Sequence, residues 1–544
     1  MAILLSLVAL SVAFAGGLGV VLILRGGKSR LDPCGICGTA LVCGAGLVAL
    51  SYFWLGLLLQ GAGLRLAVVA ICLAPPLYAW QRNRWVLPAL RLPTLNPPQA
   101  VIFAMAAVLF GCVTWFSLYR QSLMWDGLYN WEWKARVAFL NHGSFPLSYY
   151  SPGELFHKAY PPLVPVLEGW IYGFLGRPDQ SMAKLIGPYF CLAALLLLIS
   201  VSHRERKNGW SAVLVVLPFL CVPCFHLGEG SATSGYADFP LATIYLCAVI
   251  HLTEHWQTGS TSSATLAGMS AMLLVFTKSE GIIPLLCIAV AIAPLVVRER
   301  NWKLAVRVVL PGLGLWLIWK TFMKALHVPQ EVDFAGFTPG IFLSHLDRAR
   351  PLVAWTLQEL TSWTRWSLVW PLAAAAVVLL IQRTRGWQWY PWAAVVLLPL
   401  AIYPCTYFFS AWDPVEPHVK SSLPRLFLHV APVAALMVGL VFAEVWDTCV
   451  LWWRARPENL PPEALEALLR QAAEILRPTG ITVQHLRDEC QTQQLLEQAA
   501  EILRPAGLSL EHLQRALQKA AAERLPESAA LVQKLPLKAK GQIR

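Results

Sequence analysis

Charge is what this sequence has least of. Only 14% of its 544 residues are Asp, Glu, Lys or Arg, and 57% are hydrophobic; an average soluble domain carries about 25% charged residues. That scarcity argues against a soluble fold. Apolar stretches of about 20 residues recur down most of the length, each sufficient to cross the hydrocarbon core as a helix, because lipid offers no partner to unpaired backbone groups. The sequence reads as an all-α polytopic membrane protein.

Other absences narrow the reading further. No disulfide framework is indicated, because many of the 13 cysteines lie inside apolar runs (Cys72, Cys112, Cys191, Cys247, Cys287), where a thiol behaves as a small hydrophobe. Cys34 and Cys37 form a CxxC in "LDPCGICG". No second pair or His set completes a zinc site there, and no βαβ pattern makes the motif redox-like. No continuous basic patch accompanies the net charge of +12; the Lys and Arg residues fall in short clusters between apolar runs, the pattern of the positive-inside rule, so a nucleic-acid partner is not expected. The opening "MAILLSLVALSVAFAGG" ends like a signal peptide but lacks a basic n-region, and Arg25, Lys28 and Arg30 follow the apolar segment instead. That is the arrangement of a retained helix with its N-terminus outside.

Taking basic clusters as cytoplasmic gives one path of about thirteen spans. The first four occupy approximately residues 2–24, 38–60, 64–80 and 100–118; the next five 186–202, 211–226, 238–254, 263–278 and 281–297; the last four 304–321, 367–382, 391–410 and 424–444. The N-terminus is then outside and the C-terminus inside. Residues 119–185 form a long outer loop holding "YPPLVPVLEGWIYGFLG", too short and too proline-rich to span, which reads as an interfacial helix. A second outer loop, 322–366, is polar enough for one or two short helices. After about residue 455 the chain turns charged and amphipathic, and "QAAEILRPTGITVQHL" from Gln471 recurs as "QAAEILRPAGLSLEHL" from Gln498. This reads as a small cytoplasmic helical tail, either a docking element for a cytoplasmic partner or for its own copy, or dispensable.

An ionisable group at membrane depth costs about 2.5 to 3.5 kcal/mol on insertion scales and so calls for a reason. On the outer side such groups collect. Asp126 lies in "MWDGLYNWEWKARVAF" after the fourth span, between Trp125 and Gly127, and reads as a catalytic base or a helix cap. Glu132 and Arg136, six and ten residues on, are an i, i+4 pair or part of a substrate rim. Asp238, in "SGYADFPLA", is a helix N-cap or a pocket carboxylate. Lys278 and Glu280, in "VFTKSEGIIPLL", are a neutralised turn or an ammonium aimed into a cavity, where it suits a phosphate. Arg425, in "SSLPRLFLHVAP", snorkels to the interface or binds a lipid phosphate. Lys158 and Tyr160 precede the short apolar helix and, with Glu154, are candidates for the rim of the same cavity. Together these groups would support transfer from a lipid-phosphate donor, with a carboxylate taking a hydroxyl proton and cations stabilising the departing phosphate.

Five of these pieces, "WDGLYNWEWKARVAF", "YPPLVPVLEGWIYGFLG", "GYADFPLA", "FTKSEGI" and "LPRLFLHVAP", occur in an order that resembles the GT-C class of integral-membrane glycosyltransferases. The likeness is to bacterial relatives of the dolichyl-phosphate-mannose protein mannosyltransferases and of the lipid A aminoarabinose transferase, over roughly residues 100–445. It implies a periplasmic site in a bacterial inner membrane, a polyprenyl-phosphate sugar donor, a lipid, glycan or protein acceptor and an inverting single displacement. It also implies a catalytic Asp in the first large outer loop, which falls on Asp126. Lys278, Arg425 and Lys158 would take the donor phosphate, and Asp238, Glu280, Trp125, Tyr160, Glu132 and Arg136 would contact substrate. Some members use a divalent metal; relatives often carry a tight acidic pair where this chain has Asp126 and then Glu132, so no cofactor is assigned. Three extra spans precede the shared core, and the repeat-bearing tail has no counterpart. The rival readings are a transporter of lipid-linked sugars, which a charged cavity among helices also suits, and a non-catalytic membrane scaffold.

Overall fold

The structure is a computed structural model and describes residues 1–25, 31–82, 84, 96–119, 124–151, 157–205, 209–328, 333–383 and 389–454. Among them there is no β-strand, only an isolated bridge between Phe334 and Ser410. The chain divides into two units, Met1–Ala443 and Glu444–Arg544. The repeat-bearing tail after residue 455 lies outside the described residues, as does Glu154.

In chain order the helices are α1 (Ala2–Leu24), α2 (Pro33–Gly56), α3 (Gly61–Gln81), α4 (Pro97–Tyr119), α5 (Trp133–Leu140), α6 (Leu163–Leu175), α7 (Gln180–Ala183) and α8 (Ile186–Glu205). Then come α9 (Ser211–Leu220), α10 (Asp238–Thr258), α11 (Thr261–Thr277), α12 (Ile282–Arg298), α13 (Trp302–Val308) and α14 (Leu310–Ala325). The last are α15 (Pro339–Ser344), α16 (Ala349–Leu360), α17 (Trp363–Trp366), α18 (Val369–Arg383), α19 (Tyr390–Cys405), α20 (Glu416–Leu428) and α21 (Ala431–Arg454). Eight helical segments are long and apolar enough to cross a membrane: α1 to α4, Gln180–Glu205, Ser279–Arg298, Tyr390–Phe409 and Ala431–Val450. The pair α13 and α14, bent by 45°, makes a ninth if it is one span. This is a multi-pass membrane protein. The other expected spans also fall on helices, but α9, α11 and α18 are short, with 10, 17 and 15 residues, and α10 carries Asp238, His251, Glu254 and His255.

Local chemistry sets these boundaries. Asp32 caps α2, its carboxylate accepting from the Gly35 N–H at 2.8 Å, with Pro33 in the first turn where its missing N–H does no harm. Gly259 ends α10 at φ +67°, and the Ser260 side chain then caps α11. Where apolarity alone was the guide, two boundaries differ. The expected span 424–444 is two helices: α20 stops at Leu428 and α21 begins at Ala431, with Pro432 next to the break. The expected span 211–226 ends as a helix at Leu220, before a 3-10 turn over Pro223–Phe225.

Helix α10 is the centre of the molecule. Every residue from Asp238 to Leu252 is buried, with α11 and α8 packed along its sides and α2 against α8. The first two of the extra N-terminal helices join each other by close crossings. A Cβ on Gly17 of α1 would stand 1.9 Å from the Ala40 carbonyl oxygen of α2, and one on Gly44 of α2 would stand 2.0 Å from the Ala13 carbonyl oxygen. Ala13 with Gly17 and Ala40 with Gly44 are thus two small-xxx-small pairs that let the backbones touch. Helix α6 packs on the ends of α1 and α2, where the Trp170 indole donates to the Ala9 carbonyl at 2.9 Å and meets the Tyr52 ring edge-on.

Candidate functional site

At the N-terminal end of α10 four stretches of chain bring their ionisable groups together. Asp238, fully buried, stands at the centre. It is the first residue of α10 and caps nothing; the N-cap is Ala237, without a side-chain bond. The pocket reading of Asp238 therefore replaces the cap reading, because the carboxylate turns from its own backbone to three other side chains. Oδ1 accepts from the Lys278 ammonium at 2.9 Å and faces His429 Nε2 at 2.9 Å. Oδ2 accepts from Arg425 Nε at 3.3 Å and Nη2 at 3.2 Å.

Each partner is placed by a break in its helix. Lys278 follows the last residue of α11, in extended geometry at φ −155°, so its side chain leaves the α11 axis. Arg425 lies in the last turn of α20, and His429 is i+4 from it at the α20–α21 break. The cluster continues outward from Asp238. Arg425 Nη1 reaches Asp126 Oδ2 at 2.6 Å, and Lys278 reaches Glu280 Oε1 at 3.0 Å. Tyr160 donates to that same Glu280 oxygen at 3.4 Å. Tyr236 holds the edge: its hydroxyl accepts from the Asp126 N–H at 3.1 Å, and its ring lies 4.6 Å from the Arg425 guanidinium. Asp126 itself enters a π-helical turn, Gly127–Glu132, and makes no capping bond. The wider ring of a π turn re-aims side chains at functional sites.

Donor arithmetic leaves room for a ligand. A guanidinium has five N–H groups and an ammonium three. Asp238 and Asp126 take three from Arg425, and Asp238 and Glu280 take two from Lys278. Both cations keep N–H groups beyond these bonds. Three carboxylates against two cations also leave the group short of positive charge unless His429 is protonated, so an incoming phosphate would have to displace or share the Asp126 contact.

The structure thus joins Asp126, Asp238, Lys278, Glu280, Arg425 and Tyr160. It places the other expected site residues differently. Glu132 and Arg136 form the i, i+4 ion pair, and Glu132 also accepts from the Tyr172 hydroxyl at 2.8 Å. Burial makes this a carboxylate held between α5 and α6, the bland alternative of the sequence reading. The bond from Glu132 raises the Arg136 pKa above its ordinary value. Lys158 donates to the Ser151 carbonyl at 2.6 Å and lies over the Tyr149 ring; among the described residues no hydrogen bond or ion pair joins it to the Asp238 group. Trp125, 70% exposed, leans on Tyr129 with ring centroids 4.4 Å apart. It stands beside Asp126 as an open aromatic platform.

Two members were not assigned a role from sequence. His429 and Tyr236 are ordinary-looking residues in apolar or small-residue surroundings, and their only signals are spacing: four after Arg425 and two before Asp238. His429 is further held by the Tyr403 hydroxyl, 3.1 Å from Nδ1. A separate cleft of about 210 Å³ lies between α16 and α20, bounded by Trp355, Glu359, Arg365, Lys420 and Pro424. Its wall ends one residue before Arg425. Comparisons with protein-family models, with curated proteins and with solved structures give no match.

Proposed function

We propose that this protein is a GT-C-type glycosyltransferase that moves a sugar from a polyprenyl-phosphate donor to a lipid, glycan or protein acceptor at the outer face of a bacterial inner membrane. All thirteen segments traverse the bilayer in this reading, and the Asp238 group opens towards the periplasm. One observation carries it: a single arginine, Arg425, bridges Asp126 and the buried Asp238 at 2.6 and 3.2 Å, with Lys278 on the same Asp238 carboxylate.

In the proposed step Asp126 takes the proton of an acceptor hydroxyl, and that oxygen attacks the anomeric carbon from the side opposite the phosphate. The carbon–oxygen bond to phosphate breaks, polyprenyl phosphate leaves with its electron pair, and the anomeric configuration inverts. Arg425 and Lys278 are the cations for the leaving phosphate. Asp238 and Glu280 hold them in place before the donor arrives, so little reorganisation accompanies charge development. Arg425 has a second task, because Asp126 can act as a base only once the arginine turns its Nη1 donor from that carboxylate to the phosphate. Donor binding would in this way release the base. Exposed Trp125 and Tyr129 offer faces for a sugar or acceptor.

The test is an assay of purified, reconstituted protein with a panel of polyprenyl-phosphate sugars and mass spectrometry of the products. Formation of a new glycosidic bond is expected with at least one donor. Transbilayer movement of labelled lipid with no bond formed would favour the transporter, and full turnover in Asp126→Asn would remove that residue from the mechanism.

A further inference from the structure

At the other end of the bundle, the CxxC segment gains the partners that its sequence neighbourhood lacks. Helix α8 runs alongside α2 and brings His203, in its last turn, to the start of α2. There the Asp32 carboxylate, the Cys34 thiol and the His203 imidazole offer an oxygen, a sulfur and a nitrogen that all lie within 4.8 Å of one another. Asp32 Oδ2 and His203 Nδ1 are 3.2 Å apart. A tetrahedral zinc with bonds of about 2.0 to 2.1 Å to nitrogen and oxygen has ligand–ligand edges of roughly 3.3 Å, so this pair already has the spacing of two ligands on one ion.

An ion pair alone would explain Asp32 and His203 but not the thiol beside them. Two further features favour a bound cation. The carboxylate is fixed before any metal arrives, because its other oxygen, Oδ1, caps α2 through the Gly35 N–H. His203 Nε2 is buried and has no hydrogen-bond partner among the described residues, while Asp32 on Nδ1 and the Phe103 ring, centroids 5.6 Å apart, orient the imidazole. Cys37, half-buried, lies one helical turn after Cys34 and outside this group of three donors, which leaves the fourth position to water. Sulfur and imidazole donors together select a borderline-soft ion over magnesium or calcium.

We propose that Asp32, Cys34 and His203 form a zinc-class metal site at the end of the bundle remote from Asp238. The metal fastens the first helical hairpin to α8 and so ties the extra N-terminal helices to the core. It is independent of the proposed transferase chemistry.

The experiment uses full-length protein in detergent, with the exposed Cys112, Cys221, Cys405 and Cys449 replaced by serine to remove adventitious thiols. After chelator treatment it is titrated with cobalt(II), which reports a thiolate ligand by its charge-transfer band, and then with zinc in competition. One equivalent of cobalt with that band, displaced by zinc, is expected. Cys34→Ser should abolish the band, and His203→Gln should weaken binding by about tenfold or more. Zinc should raise the thermal midpoint of the parent protein and not of Cys34→Ser, since an ion that binds only the folded state stabilises it. Absence of the band in the parent, or an unchanged band in Cys34→Ser, overturns the proposal. If His203→Gln does not fold, the near-isosteric Cys34→Ser decides alone.

Discussion

Asp126 and Asp238 sit on the same arginine yet differ in what surrounds them, and that difference separates a chemical role from an architectural one. Asp238 is fully buried with three cationic or protonatable partners, whereas the Asp126 side chain is 22% exposed. Removing one member of a buried ion group leaves its partners uncompensated, at a cost of about 3 to 5 kcal/mol. Asp238→Asn should therefore lower the thermal midpoint in detergent well below that of Asp126→Asn, which should stay near the parent while losing transfer activity; equal losses of stability would make both carboxylates structural. A second buried acid makes a pH prediction. Glu168, on the short helix α6, is held well above the ordinary carboxylate range, first by burial and then by the neighbouring Glu132. In the unfolded chain it ionises near its ordinary value of about 4.3, so above that value the folded state holds the extra proton and stability falls as pH rises. Glu168→Gln removes this dependence: relative to the variant, the parent should lose thermal midpoint between pH 5 and pH 8, and parallel curves would show that Glu168 is ionised in the fold. Asp126, Asp238, Lys278 and Arg425 were legible in sequence because a charge in an apolar run demands compensation. His429 and Tyr236 were not, since neither type is out of place in a helix or a turn, and Lys158 looked identical in sequence to a lysine that reaches the site.

At the scale of elements, apolar length marked where helices lie, and Pro and Gly decided how they end. The segment expected over 304–321 is helical but bent by 45° between Val308 and Leu310, because Pro311 cannot donate back into the preceding turn. The break at His429 was equally invisible to hydropathy, though it is what releases Arg425 and His429 from one straight helix. Close helix crossings were the other hidden element, since a glycine in an apolar run looks the same whether or not a backbone lies against it. Gly17 and Gly314 show the contrast. The first has the Ala40 carbonyl oxygen 1.9 Å from its would-be Cβ, and the second has nothing within 4 Å. Gly17→Ala should cost about 1 to 3 kcal/mol by forcing α1 off α2, while Gly314→Ala should be neutral or stabilising by about 0.5 to 1 kcal/mol because a helical glycine is replaced without a clash. Thermal unfolding of the two variants in detergent checks the difference. Equal midpoints would mean that the α1–α2 crossing yields without penalty.

For the whole molecule, the number of spans fixes which side of the membrane each site faces. Eight spans alone, the segments that meet the length and apolarity expected of a lone helix, would return both termini to one side. Thirteen put them on opposite sides. The bent α13–α14 pair, the short helices α9, α11 and α18 and the polar α10 are the elements in question, and α10 shows how such a helix can cross: its charges face protein instead of lipid, Asp238 towards Lys278 and Arg425, and His251 towards Thr39 at 2.9 Å. A span buried inside a bundle needs less apolarity than one bathed in lipid, so a hydropathy threshold undercounts it. The thirteen-span reading then places the α9–α10 connection outside and the α10–α11 turn inside, as the proposed chemistry at Asp238 requires. Single cysteines at Leu227, 49% exposed between α9 and α10, and at Gly259 between α10 and α11, introduced into a background without other reactive thiols, distinguish the possibilities. A membrane-impermeant maleimide should label position 227 in intact cells with a permeable outer membrane, and position 259 only after the inner membrane is opened, whereas eight spans would leave both inside. The reverse pattern would turn the Asp126–Arg425–Asp238 group towards the cytoplasm, where a donor carried on the outer leaflet could not reach it, and would end the proposed reaction.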